Sequence, residues 1–160
     1  MTTAGTVTRA DWINAIDGVI EAARSSKAVH RPILVLLLLS RAKARRPGEV
    51  GFAEVDRSLA PVLQEMGRAK KAEPLLPFWH LQTAPFWTVV GADDLERREG
   101  KDRPTRRALL AGNVRGVVRQ EWWRALLDSP ALVDELVARL VAGAWPDVAD
   151  QKRVAALLRM

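Results

Sequence analysis

Few side chains in this sequence are equipped for bond-making chemistry. There are two histidines, His30 and His80, fifty positions apart, and no cysteine. Without thiolates or a His-x-x-x-His pair they do not make a recognisable zinc site. No Gly-x-x-x-x-Gly-Lys phosphate loop and no Gly-x-Ser-x-Gly elbow occurs. Pro146-Asp147 followed by Asp150-Gln151-Lys152 superficially matches a metal-nuclease Pro-Asp…Asp-x-Lys pattern. The gap is too short to cross a hairpin, however, and the segment reads as a helix start. The arginine-rich runs contain no paired carboxylates for acid–base work. The expectation is a binding protein, not an enzyme, with no cofactor and no metal.

Binding chemistry is better represented. The net charge is +6, and the positive residues cluster at Arg41–Arg46 and again at Arg97, Arg98, Lys101, Arg103, Arg106 and Arg107. Either run alone reads as a solvated face, and together they read as phosphate contacts. His30-Arg31 stands directly before Pro32, a residue suited to the first turn of a helix. Free backbone N–H groups and the helix dipole favour an anion there. His30 alone would be a helix-end contact; joined to Arg31 it becomes a phosphate clamp. His80 is balanced between an ordinary surface histidine and a functional one.

The elements that must position these groups are mostly helical. Thr8-Arg9-Ala10-Asp11 has capping-box spacing and opens a helix with Trp12, Ile16, Val19, Ile20 and Ala23 inward. Residues 33–39 are apolar on every side, which predicts a central helix covered all round. Val50-Gly51-Phe52 suits a short strand, and Val55, Leu59, Val62, Leu63 and Met66 recur at helical spacing, with Pro61 predicting a kink or a later start. Residues 74–91 hold two of the six tryptophans and two of the three phenylalanines. Read with period two, Phe78, His80 and Gln82 share one strand face, and Phe86–Val90 forms a second strand ending at Gly91. Trp79, Leu81 and Trp87 are then core.

Helix, strand, helix and hairpin is the order of a winged-helix unit, with the hairpin as the wing. A short helix is expected over Asp93–Glu99 and another over Thr105–Ala111, followed by a loop at Asn113–Gly116 whose glycine implies an unusual backbone or a close approach. Two or three helices finish the chain, one capped by Ser129-Pro130 and one opened by Pro146-Asp147. Trp122 and Trp123 cannot both face inward on one helix. The longest apolar run, residues 32–39, is far short of the roughly 20 residues that span a bilayer. No membrane is expected, and a cytoplasmic location suits the lack of cysteine.

In order, His30-Arg31-Pro32-Ile33-Leu34-Val35-Leu36-Leu37, Gly51-Phe52-Ala53-Glu54-Val55, Pro77-Phe78-Trp79-His80-Leu81-Gln82 and Asn113-Val114-Arg115-Gly116 resemble the DNA sulfur-binding domain of McrA-type, type IV restriction endonucleases. That resemblance implies a double-stranded DNA partner with backbone phosphorothioate, in which sulfur replaces a non-bridging phosphate oxygen. It implies a shallow apolar sulfur pocket at Leu76, Pro77 and His80, and backbone contacts from His30 and Arg31. It also implies that Arg115 reaches the duplex and its bases; Arg103, Arg106 and Arg107, from the second basic run, are further candidate DNA contacts on charge alone. Leu76 stands where the family often has tyrosine, and Val117 where it has a second glycine.

The fold class expected is mainly α: a compact helical domain with a winged-helix-like unit and one small antiparallel β-hairpin. Residues 1–160 read as a single domain with a short flexible start over about residues 1–8 and no nuclease motif. The HNH module of the family would lie in a longer native chain, or this domain would act as a stand-alone reader. Two other readings compete: a winged-helix regulator indifferent to modification, and a protein-interaction domain with an incidental basic surface.

Overall fold

The computed structural model describes residues 6–26, 30–66, 73–95 and 103–158. The first five residues of the expected flexible start, the break before His30, most of the basic linker before Pro74, and Arg97, Arg98 and Lys101 lie outside the described residues.

Local signals set the helix ends. Helix α1 (Arg9–Ser26) opens on the expected capping box. Asp11 N–H donates to Thr8 Oγ1 at 3.1 Å and Thr8 N–H donates to Asp11 Oδ2 at 2.8 Å. Its stripe of Trp12, Ile16, Val19, Ile20 and Ala23 is buried. Helix α2 (His30–Lys43) is the central element, packed against helices from both ends of the chain. All its residues from Pro32 to Leu39 are buried except the half-buried Leu37, as an all-round apolar helix requires.

Strand β1 (Glu49–Gly51) leads into α3 (Phe52–Met66). Pro61 lies on the exposed side of α3, which continues through it unbroken.

The expected hairpin over residues 78–90 is not formed. Its first half is helical: α4 (Leu75–His80) followed by a single 3-10 turn, Leu81–Thr83. Period two and period three compete over this stretch, and period three wins because Leu75, Phe78 and Leu81 are all buried along one side. Pro74 and Pro77 weigh the same way. In a strand they would remove ladder donors, whereas the first helical turn needs none. Gln82 Nε2 donates to Trp79 O at 3.0 Å, and Thr83 Oγ1 donates to His80 O at 3.1 Å, closing the turn.

Strand β2 (Trp87–Val90) forms as expected but pairs elsewhere. Asp93–Leu95 is a turn, and the rest of the helix expected over Asp93–Glu99 lies outside the described residues. Helix α5 (Arg106–Ala111) is capped by Thr105, whose side chain accepts from Ala108 N–H, and ends at Gly112. Asn113 turns the chain with φ of 53°, and β3 (Arg115–Val118) takes in the second half of what reads as a loop. It is the middle strand of an antiparallel sheet ordered β1-β3-β2, with Val50 opposite Gly116 and Trp87 opposite Val118. The wing of the winged-helix-like unit is thus β2 and β3, joined by an excursion that carries α5.

Helices α6 (Gln120–Asp128), α7 (Pro130–Ala144) and α8 (Val148–Leu157) complete a mainly α domain. Ser129 caps α7 and Asp147 caps α8 through their side chains. Trp123 is buried, while Trp122 is half-buried with its ring edge-on to Trp12 at 5.1 Å. Arg139 binds Asp17 in bidentate fashion at 2.7 and 2.9 Å, tying α7 to α1.

Candidate nucleic-acid interface

The helical form of residues 75–80 changes how the candidate pocket is built. On a helix, Leu76 and His80 are one turn apart and Pro77 lies beside them, so the three share a face. Leu75 and Phe78 point the opposite way, into the core. Across from that face, α2 begins with His30 and Arg31, and α1 contributes Ala22 and Ala23. These seven residues line an open recess of about 210 Å³. Hydrocarbon from Ala22, Ala23, Leu76 and Pro77 forms much of its wall, and among the described lining residues the polar groups are two imidazoles and one guanidinium, with no carboxylate.

Its electrostatics follow from that lining. Burial holds the His80 imidazole below its ordinary pKa, and the cations Arg31 and Arg103 push it in the same direction. Burial also lowers His30, partly opposed by the charge of Glu73. Near neutral pH the recess therefore presents two neutral rings beside a permanently charged Arg31.

The structure thus brings together Leu76, Pro77, His80, His30 and Arg31, with Arg103 acting on the same histidine. The other expected DNA contacts are not in the recess. Arg115 projects from β3, exposed, and pairs with Glu49 across the sheet. Arg106 is clasped by Asp56 through Nε–Oδ1 and Nη2–Oδ2 contacts of 3.0 and 2.6 Å, fastening α5 to α3. Arg107 is exposed on α5.

The first basic run is structural to a large extent. Arg41 is buried, donating to Glu54 at 3.2 Å and to the carbonyls of Pro47 and Glu49 at 3.1 and 3.4 Å. Lys43 pairs with Asp134, and Arg45 donates to Leu127 O at 3.1 Å. Trp79, expected in the core, is only half-buried and packs against the core from its edge, whereas Leu81 and Trp87 are fully inside it.

Sequence reasoning missed Ala22 and Ala23, the α1 side of the recess. Two alanines on an amphipathic helix carry no signal of a site. Arg31 also borders a second, larger groove of about 460 Å³, which runs along α1 past Asn14 and Gly18 to Thr83 and Trp122.

The family described as ScoMcrA-like, DNA sulfur-binding domain, matches residues 11–159. The chain belongs to that family. Solved structures agree with the assignment. This sulfur-binding domain is similar to the sulfur-binding domain of ScoMcrA complexed with phosphorothioated DNA, with a TM-score of 0.69 and 25% identity over 82% of this chain and 87% of that one. It is also similar to the sulfur-binding and SRA domains of ScoMcrA complexed with phosphorothioated DNA, with a TM-score of 0.66 and 27% identity. There the match covers 72% of this chain and 36% of the other. A third match is the type IV phosphorothioation-dependent restriction endonuclease ScoMcrA, with a TM-score of 0.65 and 27% identity over 71% of this chain and 22% of that one. Comparison with curated proteins gives no match. Among the described residues of this sulfur-binding domain, no helix is long and apolar enough to cross a membrane, and no group of three or more His, Cys, Asp or Glu residues is placed to hold a metal.

Proposed function

We propose that this sulfur-binding domain binds double-stranded DNA carrying a backbone phosphorothioate and seats the sulfur in the recess of Leu76, Pro77 and His80. His30 and Arg31 hold the modified backbone, and Arg115 reaches the bases from the sheet. Arg103 and Arg107 add general attraction to phosphate, and Arg106, anchored on Asp56, lends its exposed side to the same field. The observation that carries the reading is the recess itself: three separate helices converge on an apolar wall beside a permanent cation, and no carboxylate is among the described residues that line it.

The physics of selection is chiefly exclusion. Sulfur is larger and more polarisable than oxygen and a poorer hydrogen-bond acceptor. Pressing a phosphate oxygen against Leu76 and Pro77 strips its hydration at a cost of a few kcal/mol unless something replaces it. Sulfur loses less and gains about 1–2 kcal/mol of apolar contact. The ordinary phosphate is therefore disfavoured more than the modified one is favoured. Arginines supply salt-sensitive affinity common to both duplexes, and a base-edge contact supplies sequence preference.

Residues 1–160 act, in this reading, as one reader domain of a modification-dependent restriction system, with cleavage supplied by a separate nuclease module. Similarity to a phosphorothioation-dependent restriction endonuclease supports that role. A gel-shift titration of one duplex with and without a single phosphorothioate tests it. Tighter binding of the modified duplex is expected. Equal affinity would leave a DNA-binding domain indifferent to modification, and no binding even at low salt would leave a protein-interaction domain.

A further inference from the structure

His80 is one of two recess residues whose character a single proton can reverse, and it is the one on the helix that forms the apolar wall. It stands one helical turn from Leu76 and beside Pro77, on the hydrocarbon face that excludes oxygen. As a neutral ring it offers one N–H donor and one acceptor nitrogen; protonated, it offers two donors and a positive charge.

We propose that His80 sets how strictly the recess rejects an ordinary phosphate oxygen, and that a proton on its imidazole relaxes the rejection. This deepens, and rests on, the reading of the recess as the sulfur site. An oxygen seated against an imidazolium recovers a charge-assisted hydrogen bond in place of its lost hydration. Sulfur, the poorer acceptor, recovers less. Protonation therefore helps the unmodified duplex more, and the preference narrows.

The surroundings favour the neutral ring until DNA arrives. Arg31 of α2 and Arg103, ahead of α5, both act against a charge on His80, and burial adds to them. His30, the other titratable group of the lining, is likewise held low by burial. Glu73, ahead of α4, acts on His30 in the opposite sense. A phosphate entering the recess brings a negative charge that none of its described lining residues carries. By linkage, whichever duplex gains more from protonated His80 must raise its pKa more.

The test is the ratio of dissociation constants for the unmodified and singly phosphorothioated duplexes, measured between pH 8 and 5.5 at fixed salt. Effects of pH on general charge act on both duplexes and cancel in the ratio. The ratio is expected to fall roughly tenfold for each unit by which oxygen raises the His80 pKa more than sulfur does. It should be flat in His80→Ala and keep its slope in His30→Asn, even if both affinities drop. Circular dichroism at both pH limits shows which variants are folded. Imidazole NMR titration of the wild-type protein, which has only two histidines, gives an answer that needs no variant: the unmodified duplex should raise the His80 pKa more than the modified one. A flat wild-type ratio, a slope that survives His80→Ala, or equal His80 shifts with both duplexes would overturn the proposal. A ratio of one already at pH 8 would instead overturn the sulfur reading itself.

Discussion

Gly116 lies directly under the indole of Trp87. A Cβ at position 116 would fall 2.0 Å from Cζ2 and 2.1 Å from Cη2 of that ring, and 3.0 Å from Phe78. Trp87 in turn donates through Nε1 to the carbonyl of Phe78 at 2.8 Å and meets the Phe78 ring edge-on at 5.7 Å. The central strand is thereby pressed onto the helix that forms the pocket wall. Gly116→Ala is expected to destabilise the domain by about 1–3 kcal/mol, since a packed indole has no free space to move into. Urea unfolding measures this. Adding Trp87→Phe should recover part of the loss by removing the ring atoms that clash, leaving the cost of the unpaired Phe78 carbonyl.

Arg31 and Arg103 should behave as ligand contacts. Replacing either with alanine is expected to weaken both duplexes and to reduce the slope of log affinity against log salt by about one. The urea midpoint should stay close to that of wild type. Anisotropy titrations at several salt concentrations provide the slope.

Arg106 should behave in the opposite way. Its guanidinium neutralises Asp56, which is only 8% exposed, and joins α5 to α3. Arg106→Ala leaves that carboxylate without its partner, so the urea midpoint should fall clearly while the salt slope changes less than in Arg31→Ala. Restoring the midpoint with the double replacement Arg106→Ala, Asp56→Asn would identify the stranded charge as the cause.

Stability should depend on pH through the two histidines. Both are held below their ordinary value of 6.5 in the folded chain, so below that pH the unfolded chain binds more protons. Their contribution is fully present above pH 6.5 and is lost as pH falls from there toward the folded values. Thermal midpoints should therefore drop between pH 7.5 and 5, and His30→Asn with His80→Ala should flatten the drop. Asp17 and Glu135, lowered by Arg139 and Arg9 respectively, lose their contributions only as pH falls through and below the ordinary carboxylate range.

Much of this was legible in the residues, for local reasons. Thr8, Thr105, Ser129 and Asp147 cap helices with their own side chains, and the all-round apolar run after Pro32 could only be a covered helix. What failed was non-local or ambiguous. Pro77-Phe78-Trp79-His80 fits both periods, and only the burial of Leu75, Phe78 and Leu81 decides between them. The partner of β2 is β3, beyond the excursion that carries α5, so adjacency in sequence pointed to the wrong pairing. Arg41 read as a surface cation, yet it is buried because the carbonyls of Pro47 and Glu49 return beneath it. The pocket residues came from family resemblance. Their convergence with Ala22 and Ala23 required the fold, because α1 supplies a wall with no polar residue to announce it.

The most direct test is the preference itself, compared between wild type and Pro77→Glu. The dissociation constants of one duplex with and without a single phosphorothioate are measured for both proteins at the same pH and salt. The wild-type ratio should favour the modified duplex well above unity. In Pro77→Glu, with an acid set into the wall, it should collapse to near one while weak salt-sensitive binding persists. A wild-type ratio of one, or a preference that survives Pro77→Glu in a folded protein, would contradict the assignment of this recess as the sulfur site.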